Sequence, residues 1–293
     1  MAYKYEEMSW SDVRDLFRKW REENERKSSD VIQLWEAVLE YNFNKLGNER
    51  HLVLEQVIIA ALDTNRINIA GRCIRKLSAE FPGSMRVQKY KAMLLESVGR
   101  YSKAIEVYDA IITKDETNPA PRKRKIAILK AKGKIPEAIK ELCEYLKIFM
   151  SDQEAWHELC NLYLMGGEYA KAAFCMEEVL LHNPHSHLIH QRLAEIRYTM
   201  GGNENIEIAK SYYAQAVKLN PTNLRALYGL YLCCNQIVNS KVNVAKKKEA
   251  QKLGSWALSQ AMAQTTKASK IEKNDKYISA LEAALGNMEI KSN

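Results

Sequence analysis

Long apolar runs are missing from the sequence. The longest uncharged apolar stretches, Val57–Leu62 and Ala226–Cys234, fall far short of the roughly 20 residues that a membrane-spanning helix needs. The segment Met1–Trp20 carries charges throughout and lacks the apolar core of a secretory signal. We therefore expect the chain to stay in the cytosol and not to span a membrane itself.

Proline and glycine are also sparse, with 6 and 12 copies in 293 residues, and neither forms a linker-like tract. This favours helices joined by short turns. No two cysteines form a C-x-x-C pair, and each falls in a helical pattern, which predicts reduced, buried thiols. These cysteines are Cys73, Cys143, Cys160, Cys175, Cys233 and Cys234.

Motifs of the common enzyme classes are absent as well. The sequence contains no phosphate-binding G-x-x-x-x-G-K-[ST], no G-x-G-x-x-G, no H-E-x-x-H and no G-x-S-x-G. It therefore predicts neither catalysis nor a cofactor. The one dense set of possible metal ligands lacks cysteine or acidic partners at a recognised spacing, so no metal site is predicted. That set is His182, His185, His187 and His190.

What is present is a repeat. Alanines in a common local setting recur with separations of 34, 34, 34 and 37 residues, at Ala70, Ala104, Ala138, Ala172 and Ala209. A period of 34 residues is typical of the tetratricopeptide unit, in which two helices, A and B, pack together and each pair stacks on the next. The small side chain lets helix B cross helix A closely.

The segment Asp152–Pro184 shows the unit most fully. Trp156 and Tyr163 are placed on helix A, two glycines make the turn, and a capping box of Ser151 with Glu154 is predicted to start the helix. Proline closes three units, at Pro82, Pro184 and Pro221. The longer 37-residue step is interpreted as about three extra residues in an A–B turn.

These patterns predict an all-α fold: a tetratricopeptide-repeat α-solenoid, coiled as a right-handed superhelix of antiparallel helix pairs. Residues 1–50 are predicted to form capping helices, and residues 51–240 about five units and the start of a sixth. Residues 241–293 are predicted to be a basic segment with capping helices. Within it, a helix is expected only after the lysine-rich stretch 241–252, and a final helix around Tyr277–Leu285.

The net charge of +8 is uneven. Arg122–Lys147 holds nine basic residues and three acidic ones, and a second basic region covers Lys241–Lys276. Because A helices line the concave surface of such a stack, we predict that a partner's acidic segment binds there. The basic candidates are Arg86, Lys89, Arg122, Lys123, Arg124, Lys125 and Lys130. A more neutral, hydrogen-bonding stretch follows, with His157, Asn161, Gln191, Tyr198, Tyr228 and Asn235.

Two other functions remain open. A basic surface can bind RNA through phosphate contacts, but aromatic residues are not interleaved with these bases as a stacking platform needs. A co-chaperone of this fold reads a C-terminal carboxylate with a set of lysine and asparagine residues, of which only Asn161 can be placed here.

Several segments outside the generic repeat pattern resemble one family, subunit 2 of the endoplasmic reticulum (ER) membrane protein complex, over nearly the whole chain. They are Arg18–Asn24, Phe81–Ser84, Arg122–Ile128, Asp152–Leu159, Tyr169–Cys175 and Ala226–Leu230. The resemblance implies a peripheral subunit on the cytosolic side of an insertase that places transmembrane segments, tail-anchored ones included, into the ER membrane. It further implies a hetero-oligomer, in which this subunit holds the cytosolic tails and loops of membrane subunits together with another cytosolic subunit.

Overall fold

The computed structural model describes residues 8–241 and 243–272, with side chains up to residue 265. The described residues form helices and no strand, which confirms the predicted all-α fold. The chain begins with α1 (Trp10–Glu22), α2 (Ser28–Leu34), a π-helical turn (Trp35–Leu39) and a 3-10 segment (Phe43–Glu49).

The next eight helices are α3 (Arg50–Asp63), α4 (Ile67–Glu80), α5 (Met85–Ser97), α6 (Tyr101–Lys114), α7 (Pro119–Ala131), α8 (Ile135–Ile148), α9 (Gln153–Met165) and α10 (Tyr169–His182). They are followed by α11 (His187–Met200), α12 (Asn203–Leu219), α13 (Leu224–Asn239) and α14 (Val244–Glu272).

The chain divides into two units, Met1–Glu141 and Leu142–Asn293, so the boundary lies within α8. In the first unit, α3 packs with α4 and α5 with α6. In the second, the packed pairs are α9 with α10, α11 with α12 and α13 with α14. Each unit is thus built from sequential helix pairs whose apolar faces form its core.

All five repeat alanines are fully buried. In α4, α6, α8 and α10 the alanine is the fourth residue of the helix, while Ala209 is the seventh residue of α12. Helix α12 has 17 residues, whereas α4, α6, α8 and α10 have 14 each. The three extra residues therefore extend the start of α12, and the prediction that they lie in the turn was wrong.

The turn between the two helices of a pair keeps a strict 34-residue period. One residue of each turn has a positive φ of 56–74°, in every pair from α3/α4 to α11/α12: Asn65, Gly99, Gly133, Gly167 and Gly201. In the first four, the next residue's N–H bonds the carbonyl five residues back, as Arg66 does to Ala61 at 2.7 Å. This is a Schellman motif, which ends helix A and turns the chain into helix B.

Two predicted helix starts are corrected. Asp152, not Ser151, caps α9: its carboxylate accepts a hydrogen bond from the N–H of Ala155 at 3.1 Å and another from the hydroxyl of Tyr145 at 2.6 Å. The lysine-rich stretch is not a connection before a helix, since α14 starts at Val244 and includes residues 244–252. Asn243 caps this start by accepting from the N–H of Ala245. The predicted final helix around Tyr277–Leu285 lies outside the described residues.

Glu49 fastens the first helix to the rest of its unit. Its carboxylate accepts hydrogen bonds from Arg18 and, at 3.0 Å, from Arg21, both on α1. The bond from Arg18 is the main reason that the pKa of Glu49 lies below its usual value, with burial acting in the opposite direction. Next to these arginines on α1, Phe17 and Trp20 are buried in the core.

The left-handed turn gives a first prediction. Gly133→Ala should lower the free energy of unfolding by about 1–2 kcal/mol, because an L side chain is strained at this φ. A Cβ there would meet no atom within 4 Å, so crowding adds nothing. Gly133→Asn should cost less, since asparagine takes the same conformation at Asn65. Urea unfolding measures both; equal losses for the two variants would contradict this account.

The pairs around Glu49 give a second prediction. Because the pKa of Glu49 in the folded protein lies below the ordinary value of 4.5, its ion pairs with Arg18 and Arg21 stabilise the fold above pH 4.5. The contribution is lost as the pH falls through the folded pKa. We expect Glu49→Gln to melt at a lower temperature than the parent at pH 7, and the difference to shrink towards pH 3. Thermal unfolding across this range tests it, and two parallel pH profiles would refute it.

Candidate functional site

The predicted partner-binding residues all fall on the first helix of a pair. The basic ones lie on α5 and α7 and the neutral ones on α9, α11 and α13. The first set belongs to one unit and the second set to the other, so the two are described separately.

Arg86 and Lys89 lie one turn apart on α5 and line a cleft of about 380 Å³, which we call the α5–α7 cleft. Its other lining residues come from the start of α5, from α6 and from the start of α7: Met85, Ile111, Asn118, Ala120 and Pro121. Met85 is exposed and Ile111 is buried. The cleft therefore combines an apolar floor with two cationic side chains.

The electrostatics of the α5–α7 cleft favour a negative ligand. Lys89 is half-buried, and its pKa is lowered first by that burial and then by the charge of Arg86, against which Glu55 acts. Arg86 donates a hydrogen bond at 2.5 Å to Glu55 on α3. The N-terminus of α7 adds the positive end of a helix dipole, with Asn118 capping the N–H of Ala120. A bound carboxylate would offset the repulsion between these charges.

The run Arg122–Lys125 is less accessible than a free basic surface would be, since all four residues are only partly exposed. Arg124 donates to Glu96 on α5 at 3.4 Å. Lys125 is 19% exposed and lies 3.1 Å from Asp109 on α6 and from Glu141 on α8. Burial lowers the pKa of Lys125, but the bonds to these two carboxylates raise it by more. Arg124 and Lys125 thus hold α7 against its neighbours, and none of the four residues lines the α5–α7 cleft.

Two of the basic candidates share one face of α7. Lys123 and Lys130 are two turns apart, and Lys130 is exposed while Lys123 is partly buried. Neither lines the α5–α7 cleft. The structure thus brings together Arg86 and Lys89 and leaves the predicted roles of the others on α7 as predictions.

One neutral candidate, Gln191, is held in a polar network on α11 and the start of α13. Gln191 donates to Glu195 at 2.8 Å and accepts from Asn223 at 2.9 Å. Glu195 also accepts from Arg225 at 2.5 Å. The network fixes Gln191, which presents its polar atoms to neighbouring side chains. His157 and Asn161 are exposed on α9.

The surroundings of the three remaining neutral candidates indicate structural roles. Burial raises the pKa of Tyr198. The hydroxyl of Tyr228 is buried and has no hydrogen-bond partner among the described residues. Asn235 accepts a hydrogen bond at 3.2 Å from Asn239, one turn later on α13.

Two of the four clustered histidines, His187 and His190, contact polar groups of neighbouring residues. The ring of His190 lies 2.9 Å from the carbonyl of Pro184, and the ring of His187 contacts the amides of Asn220 and Asn223. Residues 8–241 and 243–272 hold no group of three or more histidine, cysteine or acidic residues suited to a metal ion. Within the same residues, no helix is both long enough and apolar enough to cross a membrane.

The cysteines are free thiols, and five of the six are buried, while Cys143 is only partly buried. Burial raises the pKa of Cys73, Cys175 and Cys233 to about 12, and that of Cys160 and Cys234 to about 11. These five remain protonated at neutral pH, which makes them poor nucleophiles and metal ligands.

Sequence reasoning missed the acidic partners of the basic residues. Glu55 pairs with Arg86, Glu96 with Arg124 and Glu195 with Arg225, at separations of 31, 28 and 30 residues. Each separation is slightly less than one repeat, because the paired residues lie on first helices of successive pairs. A search for opposite charges about one repeat apart would have found them.

Comparisons with known proteins agree with this architecture. Residues 82–207 match the family described as the EMC2 TPR-like repeat domain. Among solved structures, the C-terminal part of a TPR repeat-containing protein from Cytophaga hutchinsonii aligns with a TM-score of 0.56 at 17% identity, over 84% of this chain and 94% of that one. The low identity means that this likeness shows the fold alone.

Two relatives are similar in sequence over most of the chain. The ER membrane protein complex subunit 2 of Xenopus tropicalis is 48% identical over 255 residues, which cover 87% of this chain and 86% of the relative. The protein of the same name from Dictyostelium discoideum is 34% identical over 279 residues, 90% of this chain and 86% of the relative. The chain therefore belongs to the ER membrane protein complex subunit 2 family.

Proposed function

We propose that this chain is a non-enzymatic scaffold subunit of the ER membrane protein complex, bound at the cytosolic face of the membrane. It holds cytosolic segments of membrane-embedded subunits, together with another cytosolic subunit, in one geometry. In doing so it supports an insertase that places transmembrane segments, including those of tail-anchored proteins, into the ER membrane. Family membership and the repeat fold support the general role, and the α5–α7 cleft supports a specific contact.

The observation that carries the contact is the convergence of positive charge on an apolar cleft. Arg86, half-buried Lys89 and the N-terminus of α7 surround it. A partner segment with an acidic residue beside an apolar one would satisfy both features. Salt bridges at the rim of such a contact mainly set specificity and association rate, while the apolar contact adds affinity.

An RNA-binding function is less well supported by the described contacts. A phosphate-binding surface needs several accessible cations, whereas Arg124 and Lys125 on α7 already pair with carboxylates of the same chain. At the Lys-rich start of α14, Lys246 and Lys248 are exposed and Lys247 is partly exposed, and Lys246 lies 3.7 Å from Glu207.

Removing the two charges at the α5–α7 cleft should weaken assembly. We expect Arg86→Gln/Lys89→Gln to recover several-fold less of the membrane-embedded partner subunits when the tagged chain is purified from detergent-solubilised membranes. The reason is that a partner carboxylate loses both of its cations while the backbone is unchanged. Quantitative mass spectrometry of the recovered proteins is the measurement.

A matched control is Lys103→Gln/Lys114→Gln, which removes the same charge from exposed positions on α6. It should leave recovery unchanged if the cleft, and not net charge, is responsible. Both double variants should keep the parent's melting temperature within a few degrees, because exposed ion pairs contribute little to stability. Equal partner recovery from the parent and from the cleft variant would refute the contact.

The nucleic-acid alternative has its own test. An electrophoretic shift of labelled single-stranded RNA by the purified chain should be absent at physiological salt if the scaffold proposal is right. RNA binding would be favoured instead if the chain shifted the RNA with an affinity that falls steeply with added salt. Arg86→Gln/Lys89→Gln should then weaken this binding.

A further inference from the structure

An apolar pocket of about 510 Å³ lies in the second unit, outside every predicted binding residue. It is formed by α8, α9 and α10, and we call it the α8–α10 pocket. Its apolar walls come chiefly from Leu146, Met150, Trp156, Leu159, Tyr163 and Phe174, with the thiols of Cys143 and Cys175 beside them. Trp156 and Tyr163 were predicted only as structural positions of the repeat.

Two wall residues of the α8–α10 pocket are open to solvent although they are apolar, while Leu146 and Leu159 beneath them are buried. Phe174 is 54% exposed and Met150 is 68% exposed. The rings of Phe174 and Trp156 meet edge to face with centroids 6.1 Å apart. A contiguous exposed apolar patch of this kind marks an interaction site more often than an accident of folding.

The pocket is also preformed. The indole N–H of Trp156 donates to the carbonyl of Met150 at 2.8 Å, which fixes the ring and the α8–α9 turn relative to each other. Tyr163 lies 3.6 Å from the thiol of Cys143. A ligand would therefore not have to order these side chains on binding, which reduces the entropic cost.

Charge on the rim of the α8–α10 pocket has one sign. Lys147 and Lys171 line it, and no acidic residue does. Each lysine pairs with a glutamate three residues earlier on its own helix, Glu144 at 2.6 Å and Glu168 at 3.3 Å. All four side chains are more than half exposed, so these pairs are weak and each ammonium can bind a second carboxylate.

We propose that the α8–α10 pocket binds a protein segment in which an aromatic side chain is flanked by acidic residues. The aromatic ring packs against Trp156 and Phe174 and beside the sulfur of Met150, since rings favour edge-to-face neighbours and soft sulfur contacts. The flanking carboxylates bind Lys147 and Lys171. This site is independent of the α5–α7 cleft, from which it differs in residues and in unit.

The test begins with a displayed library of random peptides selected on the immobilised full-length chain. We expect enrichment of sequences with an aromatic residue between aspartates or glutamates. Fluorescence titration of one enriched peptide should show affinity falling about tenfold or more for Phe174→Ala, because truncating a central aromatic anchor removes most of its contact. Lys147→Gln/Lys171→Gln should weaken binding and reduce its dependence on salt.

The matched control is Leu181→Ala on the same helix, where an apolar side chain that is 76% exposed lies outside the pocket. It should bind the peptide like the parent. Thermal unfolding establishes that each variant is folded, which the exposure of the substituted side chains favours.

Three results would overturn the proposal. One is that no selected peptide loses affinity on Phe174→Ala. Another is that the peptides dependent on Phe174 lack acidic residues. The third is that vesicles of phosphatidylserine and phosphatidylcholine bind the parent but not Phe174→Ala, while no peptide shows this dependence on Phe174. In that case the surface binds a membrane and not a protein segment.

Discussion

The close crossing of helices at buried alanines is the constraint on which the fold depends. In α4, α6, α8, α10 and α12 the alanine is fully buried, and a larger side chain would separate the two helix axes. The same solution continues beyond the regular repeats. On α14, Ala250, Ala257 and Ala261 are buried in the core that α13 and α14 share. The lysines around them stay outside, so a sequence that appears polar still forms a packed helix.

A second constraint acts on the turns, and it explains how the repeat tolerates change. The left-handed residue at Gly201 keeps the 34-residue period, while Ala209 is displaced by three residues. An insertion within this turn would move the left-handed residue at which the first helix ends. An insertion at the start of α12 only lengthens the helix by less than one turn. Among the repeats of this chain, the spacing of the turns is therefore more regular than the spacing of the buried alanines.

The sequence was sufficient for the fold, because helix pairs repeat and their spacing can be counted. Finer features depended on tertiary contacts that no local pattern encodes. Asp152 caps α9 while its other oxygen accepts from Tyr145, and Lys125 lies between Asp109 and Glu141. For the same reason, the sequence predicted Arg86 and Lys89 together with Arg122–Lys125 as one basic surface, whereas only Arg86 and Lys89 line the cleft. The α8–α10 pocket was missed because Phe174 reads as an ordinary apolar helix residue.

The division between buried and exposed residues also suits a holding role. In a repeat protein each helix pair contacts mainly its neighbours, so stability is a sum of local interfaces and a weak interface limits the whole. A partner that spans two pairs, as a segment in the α5–α7 cleft would, binds only when both pairs are folded and stacked. By mass action its binding energy then adds to the local interface between them. Such binding would thus stabilise the chain at the pairs that form the cleft, and without a partner the chain would be least stable there.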